Sequence, residues 1–365
     1  MAVDEANIVS LVADGLEYGG WKSVRISAGI ERQARDFELG ITWRWPGSGA
    51  APARIRQGSR CEVRIGADLV LTGYVYAAPV SYDARQITVS VAGRSLTSDL
   101  IDCSAARGQW RGQSIATIVT ALAAPYGLSV VDQSGDGLTV ADHQTEPNET
   151  VFRSIDRLLE MSALLSTDDE YGRVVIARLG SAGTATDALQ LGVNVLSASA
   201  PLDFSGVFSS YECIGQRAGT DDSFGADAAE VRGEATDDRV GRYRNLTVQP
   251  SGQVSPAMAA RRASWERESR MAKALQTTYE VQGWRQSDGR LWRANSFVRV
   301  RDSMIGFDRD MLVGEVEYSL DDQGMKTRLT VAPPGAYSPQ PKAPKKSKGR
   351  GDSFEYLLPK DWEKS

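Results

Sequence analysis

The sequence reads as mainly β with α+β parts, and three observations carry that reading. Apolar and polar residues alternate over much of residues 24–91 and 289–331, the period of a pleated strand. Helical spacing is confined to three stretches, near residues 115, 151 and 258. The 35 glycines, 8 tryptophans and 12 tyrosines supply tight turns and rings that suit pleated surfaces. A chain of 365 residues has length for two or three cores. Its 24% charged and 41% hydrophobic content is that of an ordinary globular chain rather than a disordered one.

The first domain is expected over residues 1–99 and is barrel-like. Val24 and Ile26 alternate, and Phe37, Leu39, Ile41 and Trp43 alternate across 36–44 before Pro46-Gly47-Ser48-Gly49 makes a turn. Over 69–76, Val70, Thr72, Tyr74 and Tyr76 face one way and Leu71, Gly73 and Val75 the other. Ile87, Val89 and Val91 continue the pattern, so 61–91 predicts a barrel or sandwich segment made of hairpins.

Residues 100–190 predict a small α/β domain. Ile115, Ile118, Val119 and Leu122 mark a helix with Ser114 as its cap and Pro125 as its stop. Val151, Ile155, Leu158, Leu159 and Ser162 predict a second helix over 150–165, with Pro147 suited to its first turn. Short strands are expected at 128–131, 138–140 and 174–177.

A second barrel-like domain with a helical insertion is expected over 191–337. It holds a strand at 207–214 and a polar loop at 216–240 that carries Asp221, Asp222, Asp227, Asp237 and Asp238. The insertion is a helix over 255–276 with Met258, Trp265, Ala272 and Leu275 on one face. Residues 289–331 then predict two or three antiparallel strands, with Asp321-Asp322-Gln323-Gly324 as a turn. The last part, 338–365, reads as a basic flexible linker followed by an apolar docking segment containing Phe354, Tyr356, Leu357 and Leu358.

The chemistry-bearing residues are sparse. A hydrolytic triad needs a base near neutral pKa, and the chain holds one histidine, His143, which reads as a polar residue in a loop or turn. Cys61, Cys103 and Cys213 show no metal spacing and read as small buried hydrophobes in a reduced compartment. Asp168, Asp169 and Glu170 read as a solvated acidic face. Phosphate-loop, dinucleotide and calcium-loop patterns do not occur in the sequence. We therefore expect no cofactor, no metal, no catalytic residue and no enzyme.

The net charge is -5, and Arg261, Arg262, Arg267, Arg270 and Lys273 are interleaved with Glu266 and Glu268, so no specific nucleic-acid partner is expected. No apolar run approaches the ~20 residues that cross a bilayer, which argues against membrane insertion. With no signal peptide visible, the free chain is expected in the cytoplasm. Trp43, Trp45, Trp284, Trp292 and Tyr337 lie in or near turns and strand ends. With Phe354, Tyr356, Leu357 and Leu358 they form the candidate interface set.

Three regions in order carry a family resemblance: WKSVRISAGIERQARDFELGIT with GSRCEVRIGADLVLTGYVYAAPVSYDARQITVSVAGRSLTSDLIDCS; GQSIATIVTALAAPYGLSV with YGRVVIARLG; and WERESRMAKALQTTYEVQGWRQSDGRLWRANSFVRVRDSMIGFDRDMLVGEVEYSL. The chain resembles the baseplate hub proteins of Mu-like contractile-tailed phages, the Mu P-type tail proteins. The resemblance implies a homotrimeric ring of two barrel-like domains and small α/β domains per chain. Such a ring offers quasi-six-fold geometry to the tail tube or adjacent baseplate proteins and seats a central spike protein on its other side. It places the chain in the virion baseplate, after assembly in the host cytoplasm, and carries no catalytic residues over. The alternatives are a hub or spike module of a related contractile injection system and a tail-associated peptidoglycan hydrolase. The apolar segment at 354–358 is expected to dock on a neighbouring hub chain or on the spike.

Overall fold

The alternating N-terminal sequence folds as eight strands in a computed structural model that describes residues 5–44, 55–84, 86–135, 137–160, 162–216, 230–250 and 254–341. They are β1 (Val9–Ala13), β2 (Leu16–Tyr18), β3 (Ser23–Gly29), β4 (Asp36–Arg44), β5 (Arg60–Ile65), β6 (Asp68–Ala77), β7 (Val80–Tyr82) and β8 (Gln86–Ser95). The middle of the chain follows with α1 (Ser98–Asp102), β9 (Gln109–Ser114), α2 (Ile115–Ala123), β10 (Val130–Asp132), β11 (Thr139–Gln144), α3 (Val151–Glu160), β12 (Leu165–Asp168) and β13 (Val174–Ala177). Then come β14 (Leu189–Gln190), β15 (Val195–Ser199), β16 (Ser210–Gln216), β17 (Glu230–Thr236), β18 (Asn245–Val248) and α4 (Pro256–Ala274). The last strands are β19 (Thr277–Gln282), β20 (Phe297–Asp302), β21 (Phe307–Asp321) and β22 (Gly324–Ala332).

Strands from both ends of the chain lie in one 14-stranded sheet, ordered β15-β19-β22-β21-β3-β4-β8-β6-β5-β1-β2, with β20 beside β21, β14 beside β20 and β7 beside β8. The splice is β21, 15 residues long. One of its edges pairs first with β20, as in Phe297↔Leu312, and then with β3, from Glu315↔Gly29 to Leu320↔Val24. Its other edge pairs with β22, with a bulge between Val313 and Glu315. The expected barrel-like groups therefore share a hydrogen-bonded ladder. Among the described residues its ends, β15 and β2, are not paired to each other. Alternation had specified which side chains face the core, but not which strand each would lie beside.

One apolar core follows the sheet across the splice. It takes Ile26, Phe37, Leu39, Val63 and Leu71 from the first strands, Tyr279, Val316 and Leu329 from the last, and Trp284 and Trp292 from the connection between β19 and β20. A second core belongs to the α/β unit, where α2 and α3 bury Ile118, Val119, Ile155, Leu158 and Leu159 with Ile176 of β13. There β10 and β12 flank β13, parallel and antiparallel respectively, and β9 pairs with β11. Ser114 caps α2 as its position implied, accepting from the Thr117 N–H at 3.2 Å.

Several local expectations are corrected. Helix α3 ends at Glu160, and Leu165 opens β12 instead of closing the helix. Pro147 lies in the turn ahead of α3, whose first residue is Val151. Part of the expected loop over 216–240 is strand β17, paired with β16 from Ser210↔Thr236 to Gln216↔Glu230. Its inward residues are Val231, Gly233 and Ala235, too small to stand out as a strand pattern. Helix α4 packs on this strand so closely that a Cβ on Gly233 would sit 2.2 Å from the Ala259 carbonyl carbon. Accordingly α4 buries Ala259, Ala263 and Ala272, whereas Met258, Trp265 and Leu275 are only half-buried.

Candidate assembly surfaces

The tryptophans that sequence reasoning singled out divide by depth. Trp284 and Trp292 are 0% and 2% exposed and belong to the main core. The Trp284 indole N–H donates to the Ser319 and Lys326 carbonyls at 3.0 and 3.1 Å, and the Tyr318 hydroxyl donates to the Trp292 carbonyl. These rings brace the β21–β22 hairpin from inside, so they present no surface to a second chain. Tyr337 is also buried, with its hydroxyl over Gly314, where a Cβ would fall 2.2 Å away. Trp43 sits near the end of β4, whereas Trp45, Phe354, Tyr356, Leu357 and Leu358 lie outside the described residues.

What the surface does offer near Trp43 is the tip formed by β4, β8 and β7. Trp43 stands opposite Ile87 in register, and Ile87 stands opposite Tyr82 of β7. Tyr82 is 75% exposed and Val80 52% exposed on this short outer strand. Exposed aromatic and β-branched residues on a short outer strand suit contact with another protein, because they gain from being covered and lose little entropy. Tyr82 and Val80 were missed as site candidates, although their position after Pro79 at a turn is visible in the sequence.

The acidic run at 168–170 proves to be part of a joint, correcting its reading as a solvated face. Asp168 is buried, and Arg35 holds it through the backbone N–H at 3.1 Å and the guanidinium Nε at 3.2 Å. The same guanidinium donates to the Val70 and Asp168 carbonyls. Around it, Gln33 donates to the Thr167 carbonyl, Thr72 to the Glu170 carbonyl and Thr167 to the Gly29 carbonyl. The loop between β3 and β4 thus fastens the α/β unit to the sheet, beside a cavity of about 400 Å³. Burial pushes the Asp168 carboxyl up from its ordinary range, against the pull of Arg35.

The remaining chemistry-bearing residues have structural partners. His143 is buried within β11, not placed in a loop, and its Nε2 lies 3.0 Å from the Ser154 Oγ of α3. Cys61 and Cys213 are buried and Cys103 is only half-buried; burial pushes the Cys61 thiol up to about 12. Among the described residues, no group of three or more His, Cys, Asp or Glu side chains is placed to hold a metal ion. On α4, Arg262 and Arg270 both grip the buried Glu266, at 2.6 and 2.7 Å, and Arg267 pairs with Glu268 at 2.9 Å. The basic helix spends most of its charge on its own acids.

Comparison with known proteins agrees with this architecture. Residues 8–95 match the N-terminal domain of Mu phage baseplate assembly protein GpP-like proteins, and residues 255–340 match the fourth domain of GpP. Residues 97–178 match the second domain of gp44-like baseplate hub proteins. The 43 kDa tail protein of prophage MuSo2 from Shewanella oneidensis is 32% identical, with a TM-score of 0.82 over 92% of this chain and 100% of that one. A tail protein from Neisseria meningitidis shares the fold at 22% identity and a TM-score of 0.77, covering 92% of this chain and 99% of that one. The baseplate hub protein gp44 of Escherichia phage Mu is 35% identical over 95% of this chain and 93% of its own length. That likeness, running through all the parts described above, shows that the chain belongs to the gp44-like baseplate hub protein family, the structural hub proteins of contractile phage tails.

Proposed function

We propose that the chain acts as a homotrimeric ring that joins the tail tube to a central spike, with a mechanical and not a catalytic task. The observation that carries this reading is β21, which belongs to both strand groups at once. Force applied to one group passes to the other through a backbone ladder and a shared core, with no hinge of loop between them. Two barrel-like groups in each chain, held in this fixed relation, would give three chains a quasi-six-fold face for the tube. The exposed tip at Val80 and Tyr82 is a surface for a neighbouring ring or tube protein. Assembly takes place in the host cytoplasm, and the finished ring resides in the virion baseplate.

Light-scattering mass measurement of the purified chain, followed by co-purification with the tail's spike protein, tests this. Three chain masses and a stable complex are expected. A monomer at all concentrations, together with failure to retain the spike, overturns the reading. Full-length chain that cleaves purified peptidoglycan would overturn its non-enzymatic part.

A further inference from the structure

At the far end of the ladder from β2, the outer edge of β15 carries no strand among the described residues, only an isolated bridge from Leu191 to its first residue, Val195. Exposed sheet edges are usually guarded by charge, but this one is flanked by Leu191, Val193, Leu196 and Phe204, which are 40%, 73%, 52% and 43% exposed. An open groove of about 530 Å³ lies beside it, between residues 199–206 and the C-terminal end of α4, where Lys273 is exposed.

We propose that this edge is covered by the chain's own C-terminal segment, residues 354–358, added as one further strand beside β15. The segment alternates Phe354, Tyr356 and Leu358 with Glu355 and Leu357, long enough to cover the open part of β15 from Leu196 to Ser199. Pro359, which lacks an N–H, ends it as a strand ends. Asp352 and Glu355 bring negative charge to Lys273.

The path is short enough. Gly335 lies against Ala272 and Glu268, and the Trp265 indole N–H holds the Ser338 carbonyl at 2.9 Å, so the chain leaves along α4 toward its N-terminal end and the segment has to turn back. Lys273 is about 12 Å back along that helix from Trp265 at 1.5 Å per residue, within the reach of the segment that follows. The stretch from Pro341 to Phe354 spans about 20 Å as a coil and about 43 Å when extended. Tethering at this range gives an effective concentration on the order of millimolar, so backbone pairing and a few apolar contacts hold a short segment in place. The sequence pattern alone had placed this segment on a neighbouring chain or the spike; the edge in its own chain lies within the reach of its tether. The proposal does not depend on the trimeric ring.

Hydrogen exchange on the full chain tests it, against a chain ending at Pro341 and a full-length Tyr356→Asp, Leu358→Asp variant. Both changes leave every described residue intact. The amides of β15 are expected to lose at least about tenfold protection in both altered chains, while β3 and β21 keep theirs. Free exchange of β15 in the full chain overturns the proposal, as does protection that survives both changes. Protection lost on dilution to monomer but not on truncation assigns the edge to a second copy, and also overturns it.

Discussion

Asp168 and Glu266 are both buried carboxylates held by arginine, and burial and pairing balance differently at the two. Burial dominates at Asp168 and raises its pKa, so the folded state holds its proton more tightly than the unfolded chain does. Its contribution to stability is therefore present below the ordinary carboxylate range, about 3.9 for aspartate, and is lost as pH rises through the folded value. At Glu266 burial also raises the pKa, but Arg270 and Arg262 together outweigh it and the net shift is downward. Its contribution is present above about 4.3, the ordinary glutamate value, and is lost as pH falls through the depressed folded value. Acid titration of the fold should thus show Glu266→Gln weakening the dependence below pH ~4, and Asp168→Asn weakening the opposing trend. Arg35→Ala should cost about 3–5 kcal/mol in denaturant unfolding at neutral pH, because it leaves a buried carboxylate unpaired. At Tyr337 the hydroxyl finds no acceptor among the described residues. Tyr337→Phe should accordingly be neutral or stabilising by up to ~1 kcal/mol, whereas Gly314→Ala should destabilise by about 1–3 kcal/mol through overpacking.

At the scale of elements, β17 and α4 form a unit whose closeness depends on small residues. Gly233→Val should separate the helix from the strand, and the three-stranded sheet β17-β16-β18 should then lose amide protection before the main sheet does. The tip carrying β7 is the contrary case. Tyr82→Asp touches no core, so its effect on the melting of the isolated chain should stay within about 0.5 kcal/mol. The same change should weaken assembly with tail partners, read as loss of co-sedimenting complex. Unaltered assembly would remove the tip from the list of contact surfaces.

For the molecule as a whole, the long β21 ladder implies that the first and last strand groups unfold together. Hydrogen exchange should give the amides of β3, β21 and β22 one common opening free energy, because opening any of them exposes the shared core. Separate opening energies for the two groups would show that the splice carries little load. Val316→Pro, placed in the paired part of β21, should bring both groups down in one transition.

Much was legible in the sequence because it depends on local periods. The strands over 36–44 and 174–177, the Ser114 cap and the hairpin turn at 321–324 follow from side-chain spacing and turn chemistry. The order of matching segments was enough to point to the family, and 35% identity to the Mu hub protein shows it. The structure decided what no local pattern encodes. Trp284 and Trp292 are core rings because strands remote in sequence close over them. Asp168 is a buried anchor because Arg35, 133 residues away, reaches it. Two groups of strands became a single sheet because β21 is long enough to offer its edge to two neighbours in turn. Periodicity sets which way a side chain points; only the packed chain sets what it meets.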